Sequence, residues 1–183
     1  PIAWADDWQL QSQKDDISVY TSDIPGQSLR AFRGVTIVNK PLDKTIAFLS
    51  DTANMPQWFY HMKLAKDVTL PGSSAEYRYL VIAGIWPVQD RDAFVQVSHR
   101  NQTDGSVLIV AQSVSGKYPQ QNCCVRIPKM LSSWLAVPID DTHTEVTLTT
   151  KSDPGGMLPL WIANLVATDM PRETLLALRE QLK

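Results

Sequence analysis

A change of hydrophobic period near its end restricts the folds open to this chain more than anything else in it. From Ala75 onward, extended segments follow one another at Glu76 to Ile85, Ala93 to His99, Val107 to Ser113, Cys124 to Leu135 and Thr144 to Lys151, separated by Gly, Pro, Asn and Asp turns. The run stops at Asp153-Pro154-Gly155-Gly156. Beyond it Leu160, Trp161, Ile162, Leu165, Val166, Leu175, Leu176, Leu178 and Leu182 recur at helical spacing to the end. One long amphipathic helix must bury its apolar stripe, and a curved antiparallel sheet is the surface the preceding strands supply. The expectation is an α+β fold in which the C-terminal helix lies across one sheet and leaves a tunnel beneath it. Pro171 removes a helical hydrogen bond and is expected to bend that helix.

The first third reads less regularly. Trp8 to Gln13, then Lys14-Asp15-Asp16 and Ile17-Ser18-Val19-Tyr20, suggest a short amphipathic helix, a turn and a strand. Leu29 to Val38 alternates with enough β-branched content for a second strand. Asp43 is placed to cap a helix from Lys44 to about Asp51, and Asn54-Met55-Pro56 opens a second short one containing Trp58. With 183 residues, no low-complexity linker and no internal repeat, one domain is expected over residues 8–183, preceded by an extension over residues 1–7. In that extension Ala3-Trp4-Ala5 precedes Asp6-Asp7, the small-any-small pattern that signal peptidase cuts. A cleavage site there implies a periplasmic or secreted protein, and an ordinary loop there implies a cytoplasmic one.

Composition narrows the function. Lys and Arg total 17 against 19 Asp and Glu, a formal charge of −2 without a basic block, so no surface for nucleic acid phosphates is expected. The longest apolar stretches, Tyr79 to Val88 and Leu158 to Ala167, are about half of the roughly 20 residues a membrane helix needs. The two cysteines, Cys123 and Cys124, are adjacent, whereas ordinary bridges want Cα atoms ~5.5 Å apart. They read as inert, packed thiols, with no disulfide framework and no zinc site. His61, His99 and His143 sit in no catalytic frame, and no nucleophile elbow, zinc-binding His-Glu-x-x-His, P-loop or dinucleotide fingerprint occurs. No catalytic residue, metal or cofactor is expected.

Several blocks carry a family resemblance. Ile85-Trp86-Pro87-Val88-Gln89-Asp90-Arg91-Asp92, Cys124-Val125-Arg126-Ile127, Ser133-Trp134-Leu135-Ala136-Val137-Pro138, and Asp153-Pro154-Gly155-Gly156-Met157-Leu158-Pro159-Leu160-Trp161-Ile162-Ala163-Asn164 resemble the START family of lipid-transfer domains in order and spacing, as does the ending from Met170-Pro171-Arg172 to Leu182. The likeness spans about Trp8 to Leu182 and suggests a bacterial-type, single-domain member. It implies the helix-grip fold, with an apolar tunnel between sheet and C-terminal helix that takes up one lipid. In cholesterol-type members of the family an acid and an arginine on neighbouring strands pair inside the tunnel. The acid corresponds to Glu76, while the arginine slot falls at about Val97, which leaves Arg78, Arg126 or solvent to meet Glu76.

The resulting expectation is non-enzymatic binding and transfer of one lipid or sterol-like molecule by a monomer that touches membranes transiently. Trp58, Leu80, Ile82, Phe94, Val110, Trp134, Trp161, Leu165 and Thr168 are the wall candidates, and Glu76, Arg78, Arg126 and Asn164 the polar ones. Entry is expected between the C-terminal helix and the loop Ser115 to Pro119. The wider superfamily that the resemblance implies also contains cyclases and dehydratases of polyketide-like or aromatic substrates. In that alternative, acid and base would come from Glu76, Tyr79, Arg126 or a histidine. A ligand-sensing module is the third reading.

Overall fold

The computed structural model describes residues 7–183, so the Ala3-Trp4-Ala5 segment lies outside the described residues. In chain order the elements are β1 (Gln9–Lys14), β2 (Ile17–Ser22), β3 (Ala31–Val38), α1 (Leu42–Ser50), a 3-10 turn (Thr52–Gln57), β4 (Met62–Val68), β5 (Glu76–Ile82), β6 (Arg91–Asn101), β7 (Val107–Ser113), β8 (Val125–Arg126), β9 (Lys129–Pro138), β10 (Thr144–Asp153) and α2 (Leu160–Gln181). Nine strands make one antiparallel sheet in the order β1-β2-β3-β10-β9-β7-β6-β5-β4. The two-residue β8 pairs in parallel with the start of β6, beyond the stretch that β7 covers. This is the expected α+β, helix-grip arrangement, with α2 laid on the inner face of the sheet.

The close approach of α2 has a specific cause. A Cβ at Gly34 of β3 would stand 2.6 Å from Leu175 Cδ1 and 3.1 Å from Pro171 Cβ. Glycine there lets the helix axis come down onto the strand, and Leu175 and Leu178 then pack with Ile17, Val19, Val146 and Leu148 in the fully buried centre. The helix runs continuously from Leu160 to Gln181 through Pro171, so the proline does not end it.

Four local expectations are corrected. Trp8 to Gln13 does not form a helix; residues 9–14 are strand β1, closed onto β2 by a two-residue turn. Lys14 pairs with Ile17, and Asp15 and Asp16 both have positive φ, 56° and 57°, as the hairpin turn of matching twist demands. Tertiary contacts hold this turn: Arg172 Nη2 donates to Asp15 Oδ2 at 2.7 Å, Arg179 donates to the Asp15 carbonyl, and Thr36 Oγ1 donates to the Asp16 carbonyl at 2.9 Å. Second, Asp43 is not the cap of α1; Pro41 precedes the helix and Asp43 lies in its first turn, where a carboxylate favours the N-terminal dipole. Third, the expected strand from Cys124 to Leu135 divides at Ile127-Pro128 into β8 and β9, since proline cannot donate to a ladder. Fourth, Cys123 and Cys124 are not free but joined to each other. The bridge closes a small ring through the intervening peptide, at the 3.7 Å Cα separation that adjacency imposes. Met62–Val68, whose alternation a bulge between Met62 and Leu64 interrupts, forms the edge strand β4.

Candidate functional site

Strand alternation decides which side chains can meet a ligand. On β5, Arg78, Leu80 and Ile82 point inward; on β6, Arg91, Val95 and Val97 do; on β7, Ile109 and Ala111; on β9, Met130, Ser132 and Trp134. With Ile162, Val166 and Met170 of α2 they enclose a cavity of about 150 Å³ between the sheet and the helix. Its lining is mostly aliphatic and aromatic. The polar exceptions include Arg78 and the cross-strand pair Ser132 and Thr150, whose hydroxyls lie 2.8 Å apart.

Arg78 is one of two buried charges in the wall of this cavity, Arg91 being the other. Its side chain is 7% exposed, and Nη2 donates to Glu76 Oε1 at 2.6 Å and to the Ser50 carbonyl at 3.3 Å. Nη1 has the Met55 thioether as its hydrogen-bond partner, at 4.0 Å, a weak acceptor for a strong donor. Glu76 stands opposite Val97 in the strand register, the slot inferred from the sequence, and takes Arg78 as its partner, with His99 Nε2 at 3.3 Å on its other oxygen. Glu76 shares the inward face of β5 but lies beyond the cavity lining.

The remaining sequence candidates separate by position. Leu80, Ile82, Arg78 and Trp134 line the cavity. Trp58 is buried one layer behind, its ring centroid 5.8 Å from that of Trp134. Phe94 and Val110 fall on the outer face, one residue out of step with Val95 and Ile109. On α2, Trp161, Asn164, Leu165 and Thr168 lie outside the lining, and the cavity is met instead by Ile162, Val166 and Met170, spaced four apart. Trp161 is 56% exposed, and Thr168 Oγ1 turns back to the carbonyls of Asn164 and Leu165. The sequence carried the signal for the correct face: the small residues Ala163, Ala167 and Pro171 form the buried stripe that packs close, and the larger side chains beside it reach the cavity.

Arg126 is also on the outer face. It grips the wholly buried Asp92 through Nε at 2.8 Å and Nη2 at 2.9 Å, while Tyr79 donates its hydroxyl to Asp92 Oδ2 at 2.9 Å. Burial, then the hydrogen bond to Asp92, pushes the Tyr79 hydroxyl far up, and that carboxylate likewise holds the Arg126 guanidinium above its ordinary value. Over this cluster the 114–124 loop lays Tyr118 in a stack with Phe94 and Tyr79, at 4.8 and 4.7 Å. The loop Ser115 to Pro119 therefore covers the side of the sheet opposite α2, and the expected gate between that loop and the helix is corrected.

A different pair of segments meets at the cavity. Gly84, Ile85 and Val88 from the β5–β6 loop, and Pro154 and Leu158 from the β10–α2 connection, all contribute to its wall. Arg91 ties the two together, donating from Nη1 to Gln89 O at 2.7 Å, from Nε to Pro154 O at 3.2 Å and from Nη2 to Gly155 O at 3.1 Å. Its burial lowers the guanidinium pKa, as desolvation of a cation must. The β5–β6 loop is closed on itself by Asp90, which accepts from Gly84 N at 2.9 Å and from Lys63 Nζ at 2.6 Å; Lys63, then the Gly84 amide, hold its carboxyl below the usual range. A Cβ at Gly84 would lie 2.0 Å from the Val88 carbonyl oxygen, so only glycine fits this fold of the loop. On the solvent side of this mouth stand Trp86, 87% exposed, and Met157, Leu160 and Trp161, also exposed.

Comparison with known proteins agrees with this architecture. A family model described as START domain matches residues 3–172. An uncharacterized protein of Pseudomonas aeruginosa is 31% identical over 177 residues, covering 97% of this chain and 87% of its own. The phosphatidylcholine transfer protein of Bos taurus is 26% identical over 167 residues, covering 87% of this chain and 76% of its own. Among solved structures, a STAR-related lipid transfer protein from Xanthomonas axonopodis superposes with a TM-score of 0.84 at 30% identity, over 96% of this chain and 98% of that one. With its single curved sheet gripping a C-terminal helix over an apolar cavity, this chain belongs to the START domain family.

Proposed function

We propose that the protein binds one lipid or similar hydrophobic molecule in the cavity beneath α2 and exchanges it with a membrane surface, acting as a single chain and without covalent chemistry. The observation that carries this is the cavity itself, an apolar space inside one domain with a buried arginine at one wall. Each buried CH₂ contributes ~0.8 kcal/mol, so an alkyl chain or sterol skeleton binds there without a reactive group. The arginine donor that now faces only a thioether supplies the polar contact for a ligand oxygen. Of the acid and base candidates, Tyr79 and Arg126 are committed to Asp92 on the outer face and Glu76 lies outside the lining, which leaves His61 as the candidate that lines the cavity.

At about 150 Å³ the cavity is smaller than the ~300–1,000 Å³ typical of ligand pockets, so a lipid is accommodated only with outward movement of the wall. The Arg91-tied mouth is built from two loop segments, so movement there leaves the strand ladders paired, and its rim of Trp86, Met157, Leu160 and Trp161 presents aromatic and aliphatic groups suited to a bilayer interface. The test is titration of the purified protein with pyrene-labelled phosphatidylcholine, fatty acid and sterol, with native mass spectrometry of the same samples. One bound molecule of at least one class per chain is expected. Absence of binding by all three, or several molecules bound per chain, would refute the single-cavity reading.

A further inference from the structure

A disulfide between adjacent residues ties no distant parts of the chain together, so it closes almost no loop and cannot act as a staple. What it restricts is the backbone on either side. Cys123 is exposed and Cys124 buried, and the chain that leaves Cys124 is β8. Val125 N donates to Asp90 O at 2.9 Å and Ile127 N donates to Asp92 O at 2.8 Å, so β8 is hooked onto the end of the β5–β6 loop and the start of β6. Ile127 lines the cavity. The β10–α2 connection rests on the same segment, for a Cβ at Gly155 would lie 2.7 Å from Arg126 O and 3.2 Å from Val125 Cγ1. Upstream, Gln120 Nε2 donates to Cys124 O at 3.3 Å, and Arg126 donates to the carbonyls of Tyr118 and Pro119. The cysteine pair thus sits at the root of a segment that touches both halves of the mouth.

We propose that Cys123–Cys124 is a thiol–disulfide exchange site whose reductant is a dithiol, and that opening it loosens β8 and speeds passage through the mouth; the second half of this rests on the cavity reading above. The exchange balances in two steps. A thiolate of the dithiol attacks Sγ of the exposed Cys123, the Cys123–Cys124 bond breaks, and Cys124 leaves as a thiolate that takes up a proton. The second thiol of the reagent then attacks the mixed disulfide, releasing Cys123 as a thiol and the reagent as its own disulfide. The protein gains two electrons and two protons, and the dithiol loses them. With the ring open, the peptide between the cysteines regains its freedom, and the hold of Gln120 on Cys124 O and of Val125 on Asp90 O weakens.

The experiment compares the full-length protein as oxidised and after dithiothreitol with alkylation by iodoacetamide. Intact mass identifies the state, hydrogen exchange is followed at the amides of Val125, Ile127 and Gly155, and release of pyrene-labelled fatty acid to phosphatidylcholine vesicles is timed. Expected are one disulfide in the oxidised protein, several-fold faster exchange at those amides when reduced, and several-fold faster release. The double variant Cys123→Ser, Cys124→Ser should match the reduced protein and ignore dithiothreitol. Two thiols in the protein under air, or amide exchange and release unchanged by reduction, would overturn the proposal. Amides that respond in a protein that binds no labelled lipid would support the exchange site and overturn the cavity reading instead.

Discussion

Replacing Arg91 by methionine isolates the tie across the mouth, because methionine keeps an apolar stem for the pocket but removes all three hydrogen bonds to Gln89, Pro154 and Gly155. A hydrogen bond from a charged donor contributes about 1.5–3 kcal/mol net, which for three gives at most about 9 kcal/mol. Water reaching the released carbonyls at the rim restores much of this, and the desolvation of the guanidinium that lowers its pKa is also relieved. At about 1 kcal/mol net for each solvent-compensated bond the loss is about 3 kcal/mol, and at about 1.4 kcal/mol per decade it raises the population of the opened mouth roughly 100-fold. It acts on a local opening, so the amides of residues 84–90 and 154–158 should exchange about two orders of magnitude faster while those of β3 and β10 change little. Transfer of pyrene-labelled lipid between vesicles should accelerate in step. Unchanged exchange at both segments, or equal acceleration across the whole sheet, would refute the view that Arg91 holds a separable gate.

Other perturbations follow from the same geometry. Gly84→Ala forces a Cβ into the Val88 carbonyl, so hydrogen exchange should show the 84–90 loop displaced and the cavity open, with circular dichroism of the sheet retained. Gly34→Ala sets a Cβ against Pro171 and the fully buried Leu175, and overpacking of this kind costs about 1–3 kcal/mol, read as a lower urea midpoint with unchanged slope. Arg126→Met leaves the carboxylate of Asp92 buried without its partner, at a cost of about 3–5 kcal/mol in a denaturant titration; because it lies behind the sheet, the order of preference among bound lipids should stay the same. Asp90 has a folded pKa below its unfolded value, so its closure of the loop is fully present above the ordinary Asp range near ~3.9 and disappears as pH falls through the lowered value; loop amides should lose protection there before the sheet does. Trp86→Ser with Trp161→Ser should slow vesicle-to-vesicle transfer while leaving one lipid bound per chain, which a binding titration beside the transfer assay checks.

The class of fold and the order of its parts were legible in the residue pattern alone. Alternation over β3, β5, β6, β7 and β10, a Pro-Gly-Gly stop, and a helical period afterwards leave one sheet and one helix, and burial of the stripe joins them. The family resemblance put Glu76 and Val97 in the two slots of the acid–arginine pair, and the strand register sets these residues opposite each other. Features that depend on strand parity or on partners distant in sequence emerge only once the chain is folded. A one-residue shift exchanges the two faces of a strand, which is how Val110 and Phe94 come to lie behind the cavity while Ile109 and Val95 face it. On α2 the largest residues suggested the cavity face, but the helix comes down on Gly34 at Pro171 and Leu175 and packs Ala163 and Ala167 with Leu29, while Trp161 is turned outward. The turn at Lys14-Asp15-Asp16 was legible, but not that it joins two strands; without glycine, its positive φ angles are held by Arg172 and Arg179, some 160 positions away. Arg91 reads locally as one more polar residue at a strand start. It closes the mouth because folding brings carbonyls of residues 154 and 155 to its guanidinium, and contacts of that sequence separation exist only once the chain has closed on itself.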